Sequence, residues 1–470
     1  MAKSASSLFD RRFWRTMLPL ALPIALQNLL MTSFRLVDTI MIGKLGDVSI
    51  AAVGLAGTAS FLLELVMFGI ASGGAVFMAQ YHGAKDTGGI LRTLGTMLAF
   101  ALPFALLYTA FVFVCPRLFM RMLTDEVPLI REGADYLRLA CFSFPGLALS
   151  QCLGMALRST EKVRVPMIAS GAAAVLNAVL NYIFIFGKLG FPAMGVAGAG
   201  LATAVSAAGS PVIIALISRR QKNILCASLR RIFAVKGFVG LFWSRALPVL
   251  CNEAFWSLSI VGLNMVFGRM GADNFAALTI FRTVESFGFV FYMGICNACN
   301  ILVGKSIGAE DYELCKNYAR RFIKLVPMLG VPLGLLLFLL RGPVLGLFSI
   351  TDTAHRTAEL LLIIFAVDIS VRNIPYLTVV GIFRAGGDTR IGLIVDLSVM
   401  YAVSLPIAVL CGLVWKLPFI VTYLVMIAAE DLLKCAITLP YFARMKWIRP
   451  VTALSAREIP SEECGAAQES

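Results

Sequence analysis

Ionisable side chains are scarce inside the long apolar runs of this sequence, and those present define the chemistry to look for. Arg35, Asp38 and Glu64 lie in the first two runs, Glu253, Arg282 and Glu285 in the seventh and eighth, and Asp368, Arg372, Asp396, Glu430, Asp431 and Lys434 in the last three. A charge at the centre of a bilayer costs about 2.5–3.5 kcal/mol on insertion scales, so each is a functional candidate by default. Arg35/Asp38 and Arg282/Glu285 are three residues apart, and Asp368/Arg372 and Glu430/Lys434 four apart. Those spacings let each pair neutralise itself on one helix face, and a purely structural ion pair is the competing account. Glu64 and Glu253 have no base within a turn of their own helix. Such a carboxylate is a natural place to take and release a proton. Glu253, little more than a turn after Pro248, is the stronger candidate; Glu64 can instead hydrogen-bond as a neutral acid.

Neutral oxygens gather near Asp38. Asn177 and Asn181 are four apart and share a helix face, and Thr203 follows about two turns into the next run. At a common depth with Asp38 they form a protonation or Na⁺ site; hydrogen bonding between helices is the ordinary alternative for Asn and Thr. Pro23 and Pro248 each remove an N–H inside a helix, which kinks it. Equivalent kinks suit a bending mechanism and a static packing role alike.

Other chemistry finds no footing. The two His, His82 and His355, are far apart, and the eleven Cys are scattered in apolar runs without paired spacing. A metal centre, a disulfide framework and a nucleophile–His–acid set are therefore not expected, nor is an enzyme. Gly304-Lys305-Ser306 echoes a phosphate loop, but the glycine needed five residues upstream is Cys299. The stretch Gly195–Gly200 and the pair Gly69/Gly73 fit close helix packing better than a dinucleotide site. No cofactor is expected.

The elements that carry these residues follow from composition. Of 470 residues 59% are apolar and 14% charged, too few charges to cover a water-facing surface. The formal net charge of +14 is spread over short connections rather than one basic stripe, so no nucleic-acid partner is expected. Runs long enough to cross about 30 Å of hydrocarbon recur twelve times, from 17–42 to 417–442, without the period-two alternation of barrel strands. An all-α integral membrane protein of twelve transmembrane helices is expected. Lys and Arg concentrate on the N-terminus, the even-numbered connections and the tail, which places both termini in the cytoplasm of a cell membrane.

The chain also repeats itself. At a shift of 225 residues Ala21-Leu22-Pro23 falls on Ala246-Leu247-Pro248, Gly43 and Gly46 on Gly268 and Gly271, and Gly83-Ala84-Lys85-Asp86 on Gly308-Ala309-Glu310-Asp311. An even number of helices per repeat makes the two six-helix bundles parallel and pseudo-symmetric about the membrane normal. The expected organisation is an N-terminal lobe 1–218, a basic cytoplasmic linker 219–239, a C-terminal lobe 240–442 and a polar tail 443–470. The linker holds Arg219, Arg220, Lys222, Arg230, Arg231 and Lys236.

Several segments resemble one family. Val37-Asp38-Thr39 with Ile42-Gly43-Lys44-Leu45-Gly46, Gly83-Ala84-Lys85-Asp86, Asn177…Asn181 running into Gly195…Thr203, and Arg384-Ala385-Gly386-Gly387-Asp388-Thr389 are similar to the signatures of multidrug and toxic compound extrusion (MATE) transporters. The resemblance spans about residues 13–445. It implies export of amphipathic, mainly cationic compounds in exchange for H⁺ or Na⁺, by two lobes around a central cleft, in a protein expected to be monomeric. Residue by residue, it makes Asp38 the N-lobe acid, Asn177 and Thr203 its neighbours, Pro23 the kink and Glu253 the C-lobe acid. Two positions depart from the pattern: Asn181 stands where full N-lobe sites have Asp, and Asn373 where some members have an acid on the tenth helix. Arg35, Glu64, Arg282 and Glu285 are expected as cavity charges. The competing reading is a lipid-linked saccharide flippase of the same wider superfamily; its cationic cavity fits these isolated acids less well.

Overall fold

The repeated tetrapeptides of the sequence are turns, and they come out alike in both halves. Residues 10–226, 237–346 and 351–452 are described by a computed structural model. Its helices are α1 (Arg11–Gly43), α2 (Asp47–Gly83), α3 (Thr87–Val114), α4 (Pro116–Arg121), α5 (Val127–Ala140), α6 (Ser143–Ser159), α7 (Arg164–Phe186) and α8 (Gly195–Gln221) in the first half. The second half has α9 (Val239–Gly268), α10 (Ala272–Gly308), α11 (Tyr312–Leu345), α12 (Asp352–Tyr376), α13 (Thr389–Val399), α14 (Leu405–Val409) and α15 (Phe419–Ala443). Between α2 and α3, Lys85 adopts φ 58° and the Asp86 carboxylate caps α3 by accepting from the Gly89 N–H at 2.8 Å. Between α10 and α11, Glu310 has φ 59° and Asp311 caps α11 from the Leu314 N–H at 3.0 Å. Each cap is worth about 1 kcal/mol and fixes where its helix starts. Gly46 and Gly271, with φ 118° and 121°, open α2 and α10 in backbone that a side chain would strain.

Ten helices are long and apolar enough to cross a bilayer, and α5 with α6, bent by 52°, add an eleventh if they act as one span. Twelve were expected. The difference is α15: its 25 residues suffice in length, but every eighteen-residue stretch of it contains Glu430, Asp431 and Lys434. Two of the last spans are not uniform α-helix. Leu377–Phe383 extends α12 as a π-helical turn, and Met400–Ser404 and Leu410–Val414 flank α14 in the same way. Among the described residues there is no β-sheet, only an isolated bridge between Gly387 and Ile448.

Contacts divide the chain into two compact units. Among the described residues, one comprises those within 26–246; the other joins 10–25 to those within 247–452. Both divisions fall next to the repeated prolines: Pro23 lies inside the unbroken α1 and Pro248 inside the unbroken α9. The expected lobe limits, 1–218 and 240–442, do not contain this exchange of helix ends. Arg230, Arg231 and Lys236 of the linker, and the tail beyond 452, lie outside the described residues.

The exchanged ends are anchored by equivalent aromatics. Phe13, wholly buried, packs edge-on against Phe322 of α11, and Arg321 lies over its ring while pairing with Asp10 at 3.0 Å. The Asp10 carboxyl is held below its ordinary range, first by the Arg12 backbone N–H at 2.9 Å and then by Arg321. Phe238, 225 residues after Phe13 (238 − 13), is equally buried and packs against Phe77 of α2. In the 26–246 unit α8 runs between α5, α6 and α7, and α2 between α3, α5 and α6; in the other, α12 packs on α10, α11 and α15. Large apolar side chains such as Leu107, Val212 and Leu339 remain exposed on these helices, as surfaces facing acyl chains do.

Candidate functional site

Close helix packing decides what surrounds Asp38. A Cβ on Gly200 of α8 would come within 2.5 Å of the Tyr136 carbonyl oxygen of α5, so only glycine lets these backbones meet. That contact brings Tyr136 beside Thr203 and Asp38. From α7, Asn181, wholly buried, donates its amide to Asp38 Oδ1 and to Asn177 Oδ1, the latter at 3.2 Å. Thr203 donates to the Ala199 carbonyl at 2.9 Å. The expected set Asp38, Asn177, Asn181 and Thr203 is therefore drawn together. Tyr136 was not anticipated; it sits on a short, amphipathic helix whose facing partner the sequence does not specify. Among the described residues Asp38 has no ion-pair partner, and Asn181 Oδ1 is buried without a hydrogen bond. One carboxylate among neutral oxygens is suited to holding a proton or a weakly bound monovalent cation; it lacks the charge for a divalent one.

Tertiary structure re-sorts the charges that spacing had paired along single helices. Arg35 of α1 pairs with Glu64 of α2 at 3.1 Å rather than with Asp38. Both side chains are well exposed. Glu285 of α10 pairs with Arg372 of α12 at 2.8 Å, and Arg282 donates to the Asn264 side chain. Only Glu430/Lys434, at 2.9 Å, keeps the pairing its spacing suggested.

Glu253 is not alone. Arg384, almost fully buried, reaches it at 2.8 Å and also donates to Asn252 Oδ1 at 2.8 Å. Asn252 in turn donates to Asp396 Oδ2 at 3.0 Å, and Lys434 bridges Asp396 at 3.4 Å and Glu430. A polar chain thus crosses from α9 to α15 inside one unit. Arg384 arrives through the segment after the π-helical turn, Asn252 precedes Glu253, and neither role is readable from local spacing. Asn373 donates to its own helix at the Ile369 carbonyl, 3.0 Å; among the described residues no hydrogen bond joins it to Glu253. Among these residues, too, no group of three or more His, Cys, Asp and Glu side chains is placed to hold a metal ion.

A repeated, multi-pass helical membrane protein with buried acids in each unit is the class these features define. The MatE family model matches residues 23–183 and again 248–410, the two matches starting at the repeated prolines. The chain belongs to the MatE family. It is 24% identical over 444 residues to a protein of Thermotoga maritima named "Probable multidrug resistance protein NorM", covering 92% of this chain and 93% of that one. It is 24% identical over 400 residues to "Probable multidrug resistance protein YoeA" of Bacillus subtilis, covering 84% and 86%. Among solved structures, a MOP superfamily transporter from Pyrococcus furiosus superposes with a TM-score of 0.83 at 19% identity, covering 95% of this chain and 98% of that one. A mutant of the Vibrio cholerae MATE transporter VcmN gives 0.82 at 16% identity, covering 92% and 97%. These likenesses establish the fold.

Proposed function

We propose that this protein is a secondary active multidrug efflux transporter of the cell membrane. It exports amphipathic, mainly cationic small molecules by antiport with H⁺ or Na⁺, through alternating access of its two lobes. The observation that carries the reading is the Asp38 carboxylate, held by Asn181 beside Tyr136 and Thr203 with, among the described residues, no cation paired to it. An acid in such a site binds and releases a coupling ion without first breaking a salt bridge. The names of the relatives support the substrate class. Exporting one positive charge against an inside-negative potential costs about 2.3 kcal/mol per 100 mV, and exchange for one H⁺ or Na⁺ cancels that electrical term.

Purified protein in liposomes tests this. A pH gradient or a Na⁺ gradient is imposed separately, and ethidium flux is followed in the parent and in Asp38→Asn. Flux driven by one gradient and lost in the variant names the coupling ion. Folded protein that moves no dye under either gradient sinks the proposal and makes lipid-linked saccharide transfer the next assay.

A further inference from the structure

The C-terminal unit holds a second acidic site that the Asp38 chemistry does not use. Helices α12 and α15 pack together, and they bring the carboxyls of Asp368 and Asp431 close to one another. Asp431 is 6% exposed, and Oδ2 of each residue is buried with no hydrogen-bond partner. An ionised carboxylate is an acceptor only, so two of them form a hydrogen bond only when one carries a proton.

The neighbours do not relieve this pair of its charge. From their own helices and from α10 and α13 the charged groups around it are Arg372, Glu285, Glu430, Lys434 and Asp396, with the Cys435 thiol close to both acids. Arg372 is taken by Glu285 at 2.8 Å. Lys434 is taken by Glu430 at 2.9 Å and Asp396 at 3.4 Å. Among the described residues neither Asp368 nor Asp431 has an ion pair. Three carboxylates already share two cations, of which Arg372 also lies near this pair, and a buried carboxylate pair with no cation of its own resists ionising twice.

We propose that Asp368 and Asp431 form a proton-binding dyad, one proton shared between two carboxylates, as a second proton-exchange site in the C-terminal unit. The shared proton follows from these contacts alone; its use in transport rests on the antiport reading above. On release the proton passes to water and leaves two facing anions, which favours separation of α12 from α15 or a shift of Arg372 toward the pair. Protonation therefore ties the packing of these two helices to the proton supply.

Infrared titration of the purified full chain in lipid nanodiscs reads the proton without any transport assay. The parent is expected to show an acid carbonyl stretch that persists at neutral pH. Asp368→Asn and Asp431→Asn are each expected to remove it, since an Asp–Asn pair hydrogen-bonds with its carboxylate ionised. Asp38→Asn is expected to leave that band in place. A parent with no such band overturns the proposal even if a variant fails to fold. So does a band that survives in both dyad variants, or one that Na⁺ abolishes at constant pH, which makes the pair a cation site. If the band behaves as expected while ethidium flux is absent in the parent, the dyad stands and the efflux reading falls.

Discussion

At the scale of single residues, the contrast between Asp38 and Glu253 matters most. Both are acids in apolar helices, yet Asp38 meets a neutral amide and Glu253 meets a guanidinium. A hydrogen bond to a charged group contributes about 1.5–3 kcal/mol. Asn181→Ala is therefore expected to lower gradient-driven ethidium flux about ten-fold or more while leaving the protein folded, measured as initial rates in liposomes. Glu253 predicts a different phenotype. Removing one partner of a buried pair costs about 3–5 kcal/mol because the other charge is left without compensation. Arg384→Gln should lower the unfolding temperature markedly, and the Arg384→Gln, Glu253→Gln double variant should recover part of the loss. A double variant no more stable than Arg384→Gln alone would show that Glu253 is not the partner that matters.

At the scale of elements, backbone contact and aromatic anchors position the site. Gly200→Ala forces a methyl group against the Tyr136 carbonyl, and overpacking of that kind costs about 1–3 kcal/mol. Thermal unfolding should show the loss, whereas Gly209→Ala, where the added Cβ lies an ordinary 3.5 Å from Leu176, should be close to neutral. At the start of α1 the lowered Asp10 carboxyl sets a pH dependence. A depressed carboxylate contributes its hold above the ordinary Asp range and loses it as pH falls through the folded value. The extra hydrogen-exchange protection of the first turn of α1 in the parent over Asp10→Asn should be present at neutral pH and vanish on acidification through that range.

At the scale of the whole molecule, the repeat and the distribution of Lys and Arg govern orientation. Two repeats of even helix number are expected to insert the same way round, and the bias of Lys and Arg predicts that the basic connections face the cytoplasm. A reporter fused after Ser470 that is active only in the cytoplasm should therefore be active, and the same reporter placed in the Lys188–Pro192 connection should be silent. Activity in both places would refute the assigned topology.

Composition, run length and the 225-residue repeat (248 − 23) were enough to set the class of this protein, because lipid as solvent leaves helices as the only way to satisfy the backbone. Of the Asp38 surroundings, the Asn177/Asn181 pair was legible as such, since spacing of four along one helix is local geometry, whereas the contact of Asn181 with Asp38 of α1 is tertiary. The span count was less so: α15 carries three charges and falls outside an apolar count. What tertiary structure alone decided was the pairing of charges. Arg35 took Glu64, Arg372 took Glu285, Arg384 took Glu253, and Asp368 was left with Asp431. Intrahelical neighbours three or four apart are reachable in any fold, but ion pairs across helices depend on which faces meet, and that is set by close approach of small residues from distant parts of the chain.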